Sequence, residues 1–419
     1  MVKSALVLLA GASGAAAGFI YTGAGGCDVS DTACVPPAAP YSQQINAFSQ
    51  QTKGGKLYPV ANYTTGGTPS WVIVPPDEPG TNTKCLFATL SDINRVVSYE
   101  VLAGGALSLV SNVSSGGLSP VYLDHHYAQY PKTGKALLVG NYNGGCAAGG
   151  ATVASLLVGE KCALTPGDSL AFHGSGPDPT GRQECSHAHS VVVDRSSSDE
   201  AAGTIDAFVQ DLGADKVYTV ALELATGKLS LKHTAVVAAG SGPRHLAVLY
   251  TGGSKSKRVA YLVHEMANLV SVHTIDGTGA LALVQTLPTF DNSTGGFSKA
   301  AEIAINGNQN SVFVTNRGFG TAATNTVVGY AIDRNNSTLE QKSVTASGVS
   351  YPRGMVIAPA SDWNYDVMIV AGQGSGNLVS FDASGPGGTL NLPGVTIATD
   401  LPTPKTIAFV DMEIDPSYA

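Results

Sequence analysis

The chain has 419 residues, of which 50 are Gly and 22 Pro; only 13% are charged, and the formal net charge is -8. So sparse and acidic an inventory excludes nucleic acid as the first-choice partner and leaves no polybasic patch for a membrane surface. Glycine and proline at this density cut the chain into short segments, and helix-period amphipathic runs are nearly absent, so the pattern points away from α/β and towards an all-β fold.

At the N-terminus, Met1-Val2-Lys3 supplies a positive region, residues 4–10 a short apolar run and Ala15-Ala16-Ala17 a small-residue cleavage site, so residues 1–17 are expected to be a secretory signal peptide. The apolar run is too short to span a bilayer. Asn-x-Ser/Thr sequons at Asn62, Asn112, Asn292, Asn335 and Asn336 fit export and N-glycans. Six cysteines fit an oxidising compartment: Cys27 and Cys34 are close enough for a small loop, Cys85, Cys146, Cys162 and Cys185 lie further on, and the pairing stays open. Residues 18–55, poor in large apolar groups, are expected to be a flexible lead-in. Residues 56–419 then form one domain.

Within that domain a short entry followed by apolar alternation recurs at Pro69-Ser70-Trp71-Val72, Pro120-Val121-Tyr122-Leu123, Ser186-His187-Ala188-His189, Pro243-Arg244-His245-Leu246, Ala301-Glu302-Ile303-Ala304, Pro352-Arg353-Gly354-Met355 and Pro404-Lys405-Thr406-Ile407. After most of these comes a second strand ending in a polar, Gly-rich turn, as in Val263-His264-Glu265, then a third such as Leu269-Val270-Ser271-Val272 and a fourth such as Ala280-Leu281-Ala282-Leu283. Seven units of four short strands, with a period of roughly 50 to 66 residues, predict a seven-bladed β-propeller of four-stranded antiparallel blades around a central channel.

If each entry starts an innermost strand, the channel mouth carries Ser70, Val121, His187, Arg244, Glu302, Arg353 and Lys405. The antiparallel return adds Asn141, Asp211, Glu265, Asn316, Arg317 and Gln373. His187 and His189, two apart in an extended chain, are expected to face the same way. Such a concentration of charge at one rim, in a chain so poor in it, marks a functional site. Asp211 and Asp215 are set apart, because aspartates around a glycine, as in Asp211-Leu212-Gly213-Ala214-Asp215, more often close a turn.

Ser186-His187-Ala188-His189-Ser190-Val191, Asp211-Leu212-Gly213, Gly242-Pro243-Arg244-His245-Leu246, His264-Glu265, Ala301-Glu302-Ile303, Asn316-Arg317-Gly318 and Pro352-Arg353-Gly354, with Asn141-Tyr142 and His173-Gly174-Ser175-Gly176, occur in order and in register with the repeats. Over residues 57–409 the chain thereby resembles the seven-bladed lactonase family, which includes bacterial 6-phosphogluconolactonase and fungal carboxy-cis,cis-muconate cyclase. The resemblance implies a site in the channel mouth that uses neither metal nor other cofactor. His187, Arg244, Glu265 and Arg317 would be catalytic, with His189, Glu302, Arg353, Asn141 and Gln373 binding substrate. Ser186 replaces the proline usual before the first histidine, and residues 150 and before, from 144, form an insertion.

The chemistry implied is closure or opening of a lactone on a small carboxylated substrate. Arginines would stabilise developing negative charge, and His187 or a Glu265 with its pKa raised by burial would move the proton. The other class is a secreted, non-catalytic propeller glycoprotein that serves as a binding or adhesion module. No Gly-x-Ser-x-Gly elbow is present for a serine nucleophile, and a rim so rich in arginine does not suit a bound calcium.

Overall fold

The computed structural model describes residues 18–24, 43–50, 55–76, 83–127, 134–143, 150–178, 181–196, 203–251, 257–290, 297–319, 324–358 and 366–411. The signal-peptide reading, Cys27, Cys34, Cys146, Asn292 and most of the 144–150 insertion lie outside them.

Seven four-stranded antiparallel sheets form a ring, a seven-bladed β-propeller, as the repeat predicts. From channel to periphery, blade 1 consists of Pro69–Ile73, Lys84–Leu90, Arg95–Val101 and Leu107–Ser114. Blade 2 starts at Pro120–Tyr127 with Lys135–Asn141 next, blade 3 at Ala188–Val193 with Thr204–Asp211, and blade 4 at Pro243–Thr251 with Lys257–His264. Blades 5 and 6 start at Phe297–Ile305 and Pro352–Ala358. No helix among the described residues is long and apolar enough to cross a membrane.

The seventh blade closes the ring and corrects the lead-in expectation. Its innermost strand is Pro404–Asp411, followed outward by Gly18–Ala24, Gln44–Gln50 and Leu57–Thr64, so two segments of residues 18–55 are structural strands. Phe19, Ile20 and Tyr21 are buried, and the Tyr21 hydroxyl donates to the Gly105 carbonyl of blade 1 at 2.9 Å. Gly23 is needed at this seam, since a Cβ there would lie 2.6 Å from the Pro69 carbonyl oxygen.

The core is not central. Seven apolar clusters each join two neighbouring blades, one per interface around the ring. Sandwiched between neighbours, second strands are buried along most of their length, as in Val367–Gly372, whereas outer strands such as Leu229–Val236 are mostly exposed. Cys85 of blade 1 is disulfide-bonded to Cys162 of blade 2, and Cys185 is also in a disulfide.

Each innermost strand also carries an irregularity near its start, where one residue too many faces the second strand. The residues skipped in the pairing are Ser70, Val121, His189, Arg244, Ala301 with Glu302, Arg353 and Lys405. A bulge bends its strand and re-aims the extra side chain. Seven of them at one level set the chemistry of the channel mouth.

Candidate active site

His187 stands just before the innermost strand of blade 3, and its place is fixed by Asp211 at the end of the neighbouring strand. One Asp211 oxygen accepts from the His187 backbone N–H at 2.7 Å and from Ala214 N–H at 3.0 Å, and the other accepts from the Ser186 hydroxyl. Asp211 therefore closes a turn, as expected of it. Gly213 lets that turn pass, since a Cβ would lie 1.8 Å from the Cys185 carbonyl oxygen and 2.7 Å from the His187 ring. The imidazole stacks on Tyr142, with centroids 4.3 Å apart, and Nδ1 lies 2.9 Å from the Tyr142 carbonyl oxygen. That oxygen can only accept, so Nδ1 carries a proton. Nε2 then faces the exposed carboxylate of Glu184 at 3.2 Å.

Tyr142 links the histidine to a cluster of charge. Its hydroxyl accepts from Arg182 Nε at 3.1 Å, and Arg182 Nη1 lies 2.7 Å from Glu265 Oε1. The other Glu265 oxygen meets Arg244 Nε at 2.8 Å and Arg317 Nη2 at 2.9 Å. One fully buried carboxylate, at the end of the second strand of blade 4, thus holds three guanidiniums from three other places in the chain. Arg317 also donates to the Ala300 carbonyl at 3.1 Å, and Arg244 to that of Ala301 at 2.8 Å.

The electrostatics overturn one expectation. Burial alone would raise the pKa of Glu265, but Arg182, Arg317 and Arg244 outweigh it and hold the group well below the ordinary carboxylate range. Glu265 is therefore an anionic anchor and not a proton donor. Burial and the neighbouring Arg317 pull Arg244 down to about 9 against the opposing effect of Glu265, which leaves it charged at neutral pH.

A second group lies beside the first. Arg244 Nη1 is 3.0 Å from His245 Nε2, and His245 Nδ1 is 2.7 Å from Glu302 Oε1. The His245 ring meets Trp71, Tyr122 and His189 edge-on, and Trp71 stacks on Tyr122 at 4.2 Å. An axial cavity of about 370 Å³ starts at the level of Trp71, Tyr122 and Glu302 and continues along the innermost strands to Phe409.

The structure therefore brings together His187, Arg244, Glu265 and Arg317. His189 joins them through the Tyr142 ring at 5.5 Å, buried, with no hydrogen-bond partner for Nδ1 among the described residues. Arg353 is near enough to lower the pKa values of Arg244 and His189, and it donates to the buried Gln373 at 3.4 Å. Two other expected substrate ligands are engaged by groups of the protein itself. The Asn141 amide donates to the Ser115 carbonyl at 3.0 Å and ties blade 2 to blade 1, much as Asn316 ties blade 5 to Thr289 of blade 4; Glu302 faces His245 and the axial cavity. Arg182, Glu184, Tyr142 and His245 were not singled out as site residues. For Arg182 and Glu184 the signal was present: two charges within three residues, just ahead of the Ser186-His187 motif. Glu184, Cys185 and His187 bring possible metal-ligand atoms within 4.8 Å of one another, but Cys185 sulfur is committed to a disulfide and offers no thiolate.

Residues 35–409 match the model of the family described as lactonase, seven-bladed beta-propeller. The chain is 27% identical over 344 residues to 6-phosphogluconolactonase of Pectobacterium carotovorum, covering 81% of this chain and 88% of that protein. It is also 27% identical over 191 residues to an uncharacterised protein of Staphylococcus saprophyticus, spanning 46% of this chain and about half (50%) of that relative's length. Among solved structures, the periplasmic gluconolactonase of Pseudomonas aeruginosa superposes with a TM-score of 0.71 at 24% identity, covering 94% of this chain and 99% of that one, which is a likeness of fold. With the family model matched over nearly the whole propeller, the chain belongs to the seven-bladed β-propeller lactonase family.

Proposed function

We propose that the protein hydrolyses a small lactone at the blade 3–5 side of the channel mouth, without a bound metal. The observation that carries this reading is the sharing of one buried carboxylate, Glu265, by three guanidiniums, one of which reaches His187 through Tyr142. Buried cations in excess of their counterions are costly unless an anion arrives to balance them, and lactone opening generates one. His187 Nε2 takes a proton from water as the oxygen adds to the acyl carbon, and negative charge on the former carbonyl oxygen is stabilised by the guanidiniums. The ring C–O bond then breaks, the leaving alkoxide recovers the proton from His187, and a hydroxy acid departs. Tyr142 orients the imidazole by accepting from Nδ1, and Glu184 steadies the protonated ring from its other side.

Hydrolysis is preferred to cyclisation because two named proteins similar to this chain, from Pectobacterium and Pseudomonas, are lactonases. Cyclisation of a carboxymuconate is the second reading; it is favoured by the same arginines, which suit a substrate with more than one carboxylate. Export, expected from the N-terminal sequence, favours a non-phosphorylated lactone. Asn62 and Asn112, exposed on the outer strands of neighbouring blades, together with Asn335 and Asn336, are then sites for N-glycans.

Purified protein in a pH-stat, corrected for spontaneous opening, tests these readings against gluconolactone, 6-phosphogluconolactone and 3-carboxy-cis,cis-muconate, the last followed by loss of diene absorbance. Acid release from gluconolactone above background is expected. Diene loss alone would replace hydrolysis by cyclisation, and intact protein inert towards all three would support the binding module.

A further inference from the structure

We propose that His245 and Glu302 form a positioning dyad that holds the Arg244 guanidinium in its working orientation, an inference that rests on the lactonase reading above. An arginine cannot accept a hydrogen bond, so the 3.0 Å contact between Arg244 Nη1 and His245 Nε2 assigns the lone pair to Nε2. The proton then sits on Nδ1, which donates to Glu302 Oε1 at 2.7 Å. The result is a directed chain: Glu302 accepts from His245, His245 accepts from Arg244, and Arg244 donates to Glu265 at 2.8 Å. Two carboxylates on different blades thereby fix the two ends of one guanidinium.

Three further features fit a positioning role. Rings of Trp71, Tyr122 and His189, with centroids 5.0 to 5.4 Å from that of His245, leave the imidazole no room to turn. Burial, assisted by Arg244, pushes the pKa of His245 down to about 3 against the pull of Glu302, so the ring stays a neutral acceptor. Glu302 is set by the bulge of blade 5, where its backbone N–H donates to the Thr315 hydroxyl at 3.0 Å and its Oε1 also accepts from Ile303 N–H at 3.2 Å. Its other oxygen is buried without a hydrogen-bond partner among the described residues. Such a group is costly to keep in a site of packing alone.

Substitutions that separate hydrogen bonding from packing test the dyad. His245→Leu keeps apolar volume and removes both hydrogen bonds. His245→Gln restores them, the amide oxygen accepting from Arg244 and the amide N–H donating to Glu302. Loss of an oriented charge-stabilising donor is expected to lower kcat about 100-fold in His245→Leu, with KM within about 3-fold of wild type, and His245→Gln is expected to recover most of it. Glu302→Gln, which keeps an acceptor oxygen but not the charge, is expected to fall between and serves if the leucine variant does not fold. Arginine-selective 15N spectra supply a readout independent of turnover, with the Arg244 Nε–H signal assigned from its loss in Arg244→Lys. That signal should shift or exchange faster in His245→Leu and stay at the wild-type position in His245→Gln. If wild type opens no lactone, the lactonase reading falls and the spectra still decide the dyad. Unchanged kcat and an unmoved Nε–H signal in His245→Leu and Glu302→Gln, or a glutamine variant as impaired as the leucine one, would overturn the proposal.

Discussion

Arg317 Nη2 lies 2.9 Å from Glu265 Oε2, the same oxygen to which Arg244 donates. Two guanidiniums on one carboxylate oxygen, with Arg182 on the other, make Glu265 the keystone of the mouth. Glu265→Gln removes the charge that all three face. Breaking buried pairs on one side is expected to destabilise the fold by about 3 to 5 kcal/mol. Urea denaturation measures this, and a loss below about 1 kcal/mol would mean that the guanidiniums are compensated elsewhere.

For His187 the expectation is the reverse, a large effect on rate with a small one on stability. Its backbone anchors to Asp211 survive any side-chain change, and only the ring handles the proton. His187→Asn should therefore lower kcat by about 100- to 10,000-fold while the melting temperature moves by a few degrees. Parallel activity and calorimetry check it; a variant that keeps its rate returns the proton transfer to some other group.

Acid should weaken the fold well before carboxylates titrate. Burial holds His264 at about 3, His273 at about 4 and His245 at about 3, against 6.5 in the unfolded chain. Between pH 6.5 and about 3 to 4 the unfolded chain binds protons that the folded one refuses, so stability falls as pH falls, by up to about 1.4 kcal/mol per unit for each histidine. His264 and His273 share the Ser271 hydroxyl at 2.7 and 2.8 Å. Unfolding free energies at pH 7, 6 and 5 should decline steeply, and His273→Gln should flatten the decline. A pH-independent stability over that range contradicts the assignment.

The Cys85–Cys162 bond joins blades 1 and 2 across a sequence separation of 77. Closing a loop of that length restricts the unfolded chain, so the double substitution Cys85→Ser with Cys162→Ser should cost about 2 to 5 kcal/mol. Denaturation midpoints of the oxidised protein and of the variant make the comparison. Equal midpoints would show that inter-blade packing alone sets the stability.

Much of this was legible in the sequence because a propeller writes its geometry periodically. Ser70, Val121, Arg244, Glu302, Arg353 and Lys405, placed at the mouth by repeat phase, fall in the bulges of the innermost strands. Blade 3 slipped by two residues: the bulge holds His189, while His187 stands before the strand. Ser186-His187-Ala188-His189 fits either register, and no proline marks the entry. Arg182 lies on a connection between blades, where no period reports position. The strand Gly18–Ala24 was hidden by its setting, because its partner, Pro404–Asp411, comes from the far end of the chain. The direction of the Glu265 shift needed coordinates, since burial and three nearby cations act in opposite senses and only their geometry decides.

The most direct measurement is kcat/KM for gluconolactone opening by Arg317→Met beside wild type. Arg182 and Arg244 still pair with Glu265 in that variant, so the fold should persist with an unchanged circular dichroism spectrum. A fall of about 100-fold or more in kcat/KM is predicted, from the loss of one charge-stabilising donor. A variant that keeps wild-type kcat/KM would contradict the account, because charge stabilisation would then lie away from the Glu265 cluster.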